Sequence, residues 1–289
     1  VDVTTEHVNN RTKLAFHIKQ GKRYILRDVS ATGQLDTQTR RILRFFKPMQ
    51  NKVYDADAAD KATNRLLNTG IFKKVEVTPK PHDDGFLDLD IQVEEGKTIT
   101  TSAYIGTDSY EGLVLGITYS DLNLSGKMWQ FNSRAEYTGR GLLGEVGITE
   151  PFFAGEDVSF NLRAFALQRS PDGYEKYELG SEASWTWQAT DKYSIRAYLG
   201  SSFVSTSSSS MTQEELGPND YLNTRIGISQ ALDLRNDPIL PSQGYNGELL
   251  TELGSVIGDA TTSYFKIDLN NSYRTAMIRA STSFHHKPM

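Results

Sequence analysis

From Ile99 to the end of the chain, apolar and polar residues alternate with a period of two, and few folds accept that pattern over so long a stretch. Trp129, Phe131, Ala135 and Tyr137 alternate with Gln130, Asn132, Arg134 and Glu136. Tyr177, Leu179, Ala183, Trp185 and Trp187 alternate with Glu178, Glu182, Ser184 and Thr186, and Phe265, Ile267 and Leu269 with Lys266, Asp268 and Asn270. Successive side chains of a strand point to opposite faces, so each run describes a strand with one apolar face. About eleven runs are expected, near 99–107, 112–121, 128–138, 142–150, 157–169, 176–188, 192–205, 220–234, 244–254, 262–273 and 276–284. A soluble sandwich buries one face of such strands against a second sheet, whereas a membrane barrel turns that face to lipid. Length favours the barrel: most runs reach the 9–11 residues that a tilted strand needs to cross a bilayer, against about 5–6 in soluble sheets. Aromatics near strand ends (Trp129, Tyr137, Phe152, Phe153, Tyr193, Tyr221, Tyr245, Tyr273) suit the girdles at a membrane interface. Arg134, Arg163, Arg196, Arg225, Glu248 and Arg279 recur on the opposite, inner face.

Composition does not contradict this. The mean hydropathy of −0.47 is that of a soluble protein, but in a barrel polar lumen residues cancel lipid-facing ones in the average. The longest unbroken apolar run, from Ala164 to Leu167, is far short of a transmembrane helix. A net charge of −5 argues against phosphate-backbone binding as the main task, and nucleic acid is not an expected partner. With no cysteine there is no disulfide, thiolate nucleophile or cysteine zinc site. The start, Val1-Asp2-Val3-Thr4, has no charged-then-apolar leader, so either a signal was removed or the chain begins inside a longer protein.

The N-terminal third carries an internal repeat. Val75-Glu76-Val77-Thr78, a run from Leu87 to Val93 and Glu95-Gly96-Lys97 correspond to Val1-Asp2-Val3-Thr4, Leu14 to Ile18 and Gln20-Gly21-Lys22, offset by 74 residues at first and 75 at the end. Each copy reads as a hairpin, with turns at Asn9-Asn10 and Asp83-Asp84-Gly85. Residues 1–21 are then the tail of a module whose beginning is missing, and a complete module occupies 22–98. There a strand over 24–31 precedes a short helix that Asp36 and Thr37 cap and that runs through Phe45, with Pro48 as its stop. A second helix, capped by Asp55 or Asp57, has Ala58, Ala62 and Leu66 on one face and Gly70 as its stop. Strands over 72–78 and 86–94 complete the order β-α-α-β-β, a small sheet with helices on one face.

That order, the segment Leu67-Asn68-Thr69-Gly70-Ile71-Phe72-Lys73-Lys74-Val75 and the closing Glu95-Gly96 resemble a POTRA domain, the polypeptide-transport-associated module of outer-membrane assembly and secretion barrels. Three later connections are similar to those of BamA- and TamA-type barrels: Asn123-Leu124-Ser125-Gly126-Lys127, Thr149-Glu150-Pro151-Phe152-Phe153, and an Asp-x-Arg stretch followed by Pro-x-x-Gly, carried by Asp233, Arg235, Asp237, Pro238, Pro241 and Gly244. Prolines there stop the strand, Gly244 permits tight re-entry and the charges belong outside lipid. With the module in the periplasm, all three turns fall on the periplasmic side and the long 205–219 loop faces outward.

The resemblance implies an α+β POTRA domain followed by an antiparallel transmembrane β-barrel over 99–289, with about eleven strands present of an expected sixteen. No Arg-Gly-aromatic motif of the family's long external loop occurs, so that loop's role does not transfer. Eleven strands leave two bare edges, so the expectation is a fragment cut at both ends or completed by strands from elsewhere.

The implied function is insertion and folding of β-barrel proteins, or translocation of autotransporter-like clients, at a bacterial outer membrane. Partners would be lipids, unfolded client proteins and accessory periplasmic or lipoprotein subunits, with no cofactor. Phe72, Lys73, Lys74, Val75, Glu76, Val77 and Thr78 form the expected client-binding edge, because backbone pairing is nearly blind to sequence. Ile99, Thr100, Thr101, Ser102, Ala103, Tyr104, Ile105 and Gly106, rich in small polar residues, form the expected lateral seam of the barrel. A two-partner secretion transporter and a passive porin or anchor are the alternatives. Enzymatic chemistry is not expected: His285 and His286 point to opposite faces of a strand, Gly139-Arg140-Gly141 lacks a following Lys-Ser/Thr, and no hydrolase or zincin motif occurs.

Overall fold

The computed structural model describes residues 2–8, 11–17, 22–155, 157–208, 210–258 and 261–275. Two compact units divide the chain, Val1–Lys97 and Thr98–Met289.

The first unit opens with a two-stranded antiparallel hairpin, β1 (Asp2–Val8) and β2 (Arg11–His17). After it come β3 (Ile25–Thr32), α1 (Thr39–Leu43), α2 (Ala56–Asn68), β4 (Phe72–Pro81) and β5 (Phe86–Glu95). The sheet order is β3-β5-β4, with β5 parallel to β3 and antiparallel to β4, so the last strand in sequence is central. Alternation on β5 sends Leu87, Leu89, Ile91 and Val93 into a core with Leu26, Ile42, Phe46, Leu66 and Ile71. The two hairpins repeat each other pair by pair. Val3↔Phe16, Thr4↔Ala15 and Thr5↔Leu14 correspond, at offsets of 74 and 75, to Val77↔Ile91, Thr78↔Asp90 and Pro79↔Leu89.

The helix ends differ from expectation. α1 begins at Thr39, after Gln38, and the N–H groups of Asp36 and Thr37 donate instead to the Glu95 carboxylate at 3.0 and 2.8 Å. It ends at Leu43, two residues before the expected Phe45, which is buried together with Phe46. On α2, Asp55 is the cap, accepting from the Asp57 N–H, and Ala59 with Ala62 and Leu66 forms the buried stripe where Ala58 was expected. Thr69 is its C-cap, and Gly70 follows in the left-handed region at φ +73°.

The second unit contains a ten-stranded antiparallel sheet in simple sequential order. Its strands are β6 (Ile99–Asp108), β7 (Gly112–Leu124), β8 (Trp129–Thr138), β9 (Gly141–Glu150), β10 (Val158–Arg169), β11 (Glu175–Thr190), β12 (Tyr193–Ser207), β13 (Asp220–Asp233), β14 (Gly244–Ile257) and β15 (Thr261–Arg274). A one-turn helix, α3 (Gln213–Leu216), lies in the β12–β13 loop. Ten of the expected strands are present; the eleventh, at 276–284, lies outside the described residues, as do Arg279, His285 and His286. No helix among the described residues is long and apolar enough to cross a membrane, which bears on helices alone.

Register makes each face continuous. Phe131↔Ile148, Ile148↔Leu162, Leu199↔Ile226, Ile226↔Leu253 and Leu253↔Phe265 pair on one face, with most of these side chains exposed. The other face carries Arg134↔Glu145, Arg163↔Glu182 and Gly227↔Glu252. This is the large antiparallel sheet of a partial barrel, apolar outside and charged inside. Four aromatic rings on the charged face lie over the glycine paired with them: Tyr104 on Gly116, Phe165 on Gly180, Tyr198 on Gly227 and Tyr264 on Gly254. A Cβ at any of these glycines would collide with the ring. The aromatic covers backbone that glycine leaves bare.

Candidate functional site

β4 contains all of Phe72 to Thr78 and continues through Pro81, three residues beyond expectation. Among the described residues it pairs only with β5, so it is an edge of its sheet. Phe72 is buried, and Val75 and Val77 are half-buried on the helix side opposite Val93 and Ile91. Lys74, Glu76, Thr78 and Lys80 lie on the open face with Asp88, Asp90, Gln92 and Glu94. That face is charged and internally paired: Arg27 donates to Asp88 at 3.2 and 2.9 Å, His82 lies 2.8 Å from the same carboxylate, and Lys80 reaches Asp90 at 2.9 Å. The Arg27 hydrogen bonds, opposed by desolvation and helped by His82, hold Asp88 down at about 2. Burial would raise Glu95, but its hydrogen bonds from Thr37, Asp36 and Leu35 outweigh that and keep it low.

β6 holds Ile99 to Gly106, exposed along its whole length and paired only with β7 among the described residues. It has one anchor that its small residues concealed. The Tyr104 hydroxyl reaches past Gly116 on β7 and donates to Glu136 on β8, which is itself paired with Arg134. Among the described residues Tyr104 is the one β6 residue whose side chain hydrogen-bonds to another strand.

The turn after β13 is built from its own side chains. Arg235 donates to Asp233 from its backbone N–H and Nε at 3.1 and 2.8 Å. Asp237 accepts from the N–H of Ile239 and Leu240 at 2.8 and 3.0 Å, which hold its carboxyl below the ordinary range. Asn236 accepts from Ser242 and Gln243 and closes the loop that Pro238 and Pro241 keep from continuing as strand. Gly244 has φ +126°, and a Cβ there would sit 2.5 Å from the Leu234 carbonyl oxygen. Ile239 and Leu240 form an exposed apolar tip. The turns at 125–128, 151–157 and 234–243 join β7 to β8, β9 to β10 and β13 to β14, so all three share one end of the sheet; the long 208–219 loop, between β12 and β13, is at the other.

On the inner face the charges neutralise one another. Glu182 bridges Arg196 and Arg225, the second at 3.1 Å, and Arg225 lies 3.9 Å from Glu252. Glu252 accepts from the hydroxyls of Tyr198 and Tyr264. Arg163 lies 3.3 Å from Glu145, and Glu248 accepts from Ser229 at 2.6 Å. Glu145, Glu182 and Glu252 were not singled out by sequence, because only pairing across strands sets them beside the arginines. No group of three His, Asp or Glu side chains among the described residues is placed to hold a metal ion.

A POTRA-type α+β unit followed by a one-sided antiparallel sheet defines a class of membrane-barrel protein, and comparison with known families agrees. The chain belongs to the Omp85 superfamily, whose domain it matches over residues 123–286, with a POTRA match, described as surface antigen variable number repeat, over 24–96. The family is non-catalytic.

Among curated relatives, "Outer membrane protein assembly factor BamA" of Neisseria meningitidis serogroup B is 23% identical over 168 residues, 56% of this chain and 21% of that protein. The BamA of Neorickettsia risticii is 27% identical over 129 residues, 44% of this chain and 18% of that protein. The chain thus spans about a fifth of the length of the curated relatives it matches. Among solved structures, BamA of Haemophilus ducreyi lacking POTRA domains 1–3 superposes with a TM-score of 0.74 at 16% identity, covering 88% of this chain and 55% of that one. CdiB of Acinetobacter baumannii gives 0.51 at 10% identity, over 86% and 48%.

Proposed function

We propose that this chain is part of an outer-membrane assembly factor that inserts and folds β-barrel proteins, with its POTRA-type unit in the periplasm. Residues 1–21 are read as the end of a preceding POTRA-type module, 22–98 as a complete one and 99–289 as the N-terminal part of the barrel. The register match between the two hairpins supports the first of these assignments. Clients are unfolded barrel polypeptides, captured on β4 by strand addition, and the surrounding solvent is lipid. Accessory periplasmic or lipoprotein subunits are further partners.

The observation that carries this reading is the pair of unequal edges. β4 offers backbone hydrogen bonds on a unit with a closed core, while β6 is tied to the rest of its sheet by the ladder to β7 and the single Tyr104 anchor. A weakly tied first strand suits a lateral seam, because opening it forfeits little side-chain packing. The same architecture serves a transporter that passes a polypeptide through the lumen, and the likeness in fold to CdiB keeps that second reading in view.

The test uses the full-length protein in lipid vesicles with a urea-unfolded barrel client, scoring client folding by protease protection. This chain contains no cysteine, so Thr101→Cys introduces its only thiol, to be paired with an engineered cysteine on the closing strand of the barrel in the full-length protein. Folding should accelerate with the native protein, stop with the tether and resume on reduction. Undiminished folding with the tether intact would refute the seam. Steady small-solute flux, unaffected by client or by deletion of residues 22–98, would point to a passive pore.

A further inference from the structure

We infer that Pro79 and Pro81 form a register stop on the free edge of β4, confining strand addition to Val75 and Val77. The inference rests on the reading of β4 as a capture edge and specifies where on that edge a client pairs.

In an antiparallel pair, residues alternate between turning their N–H and C=O toward the partner strand and turning both away. The His82 N–H donates to the Phe86 carbonyl at 2.8 Å across the hairpin, so even-numbered residues turn inward to β5. Registered pairing is unbroken from Lys74 to Pro81, beyond the irregularity between Phe72 and Lys74. Val75, Val77, Pro79 and Pro81 therefore turn their backbone groups to the free side. The prolines sit where a strand partner needs donors and have no N–H to give. A β-edge ready to pair over its whole length is reduced to the donors of Val75 and Val77.

The first copy of the repeat shows that the hairpin does not require these prolines. Thr5 and His7 occupy the corresponding positions of β1, pairing with Leu14 and Thr12 as Pro79 and Pro81 pair with Leu89 and Leu87. The window also sets the chemistry of its occupant, an extended segment of an unfolded polypeptide. Residues directly opposite Val75 and Val77 would place their side chains on the helix side of the sheet, continuing the layer of Val93 and Ile91, so apolar residues at alternate positions fit. The residue between them meets Lys74, Glu76 and Thr78 on the charged face and is polar.

The test compares the chain in detergent micelles with its Pro79→Thr/Pro81→His and Val77→Pro variants. The probes are peptides of about five and about twelve residues that alternate valine with threonine and lysine. Binding is read by fluorescence anisotropy, and amide exchange over residues 72–82 by mass spectrometry. In the native chain the longer peptide should bind no more tightly than the shorter and should slow exchange at Val75 and Val77. The double variant should bind the longer peptide about tenfold more tightly and protect the two new amides as well. Exchange at Leu89 and Ile91, unchanged, would show that the core is intact. If Val77→Pro abolishes binding but the double variant gains nothing, the stop is refuted and edge capture stands. If Val77→Pro leaves binding unaltered, edge capture falls and the stop with it. A concentration-dependent dimer of the double variant that excludes peptide would make a second copy of the chain the occupant and overturn the client assignment.

Discussion

β5 and β15 are written in nearly the same hand, Phe-Leu-Asp-Leu-Asp-Ile in one and Phe-Lys-Ile-Asp-Leu in the other, yet they do opposite things with their apolar residues. On β5, Leu89 and Ile91 are 1% and 0% exposed; on β15, Ile267 and Leu269 are 62% and 61% exposed. Alternation fixes that a strand has an apolar face and leaves open what covers it. In the first unit α1 and α2 cover it, closing a core that works in water. In the sheet no described element does, and under the proposed function lipid is the cover. Polar residues invert in the same way: the open face of β5 is wetted and paired at the surface, while Glu182 and Glu252 are drawn into clusters on the inner wall.

Perturbing the two regions separately is the sharpest way to break this contrast. Leu89→Ala should cost about 2–5 kcal/mol through the cavity it leaves, seen as early loss of helical signal when the chain in detergent is titrated with urea. Ile226→Arg, in the middle of β13, should cost about 2–4 kcal/mol in lipid vesicles, measured as a lower urea midpoint of the tryptophan signal from Trp129, Trp185 and Trp187. An arginine tolerated there would put that face against water, and the contrast would collapse. Gly244→Ala forces a side chain into the left-handed region against the Leu234 carbonyl and should cost about 1–3 kcal/mol, read as a lower melting temperature.

Smaller effects sharpen the comparison of the edges. Tyr104→Phe removes the hydroxyl that ties β6 to Glu136 and should cost about 1 kcal/mol, with faster amide exchange along β6 and no change along β9. The smallest effect concerns acid. Asp88 is held at about 2, below its ordinary 3.8, so its contribution is complete above pH 3.8 and fades as pH falls toward 2. Over that window Asp88→Asn should show a shallower loss of melting temperature than the native chain. Equal slopes would mean that the Arg27 pair contributes nothing to folding.

Much of the candidate site is legible in the order of residues alone. Alternation locates ten strands of the sheet to within a few residues, and Pro238, Pro241 and Gly244 mark their turn because each restricts or extends the backbone locally. The segment from Thr69 to Phe72 is equally plain. The helix ends are less so: Asp36 and Thr37 carry the oxygens of caps, but α1 starts beyond them at Thr39, and their own N–H groups donate to Glu95, far away in sequence. β6 looks unanchored in sequence because Tyr104 acquires its role only from Gly116 and Glu136 on two other strands.

The sequence by itself determined which residues alternate, where the backbone must turn and which positions can donate no hydrogen bond, since these depend on side-chain order and on φ within a few residues. Tertiary structure alone decided that β5 runs between β3 and β4, leaving β4 at the edge, and that Glu182 stands between Arg196 and Arg225. Neighbours across strands are chosen by register and by competition for burial among distant segments, and no local pattern carries that information.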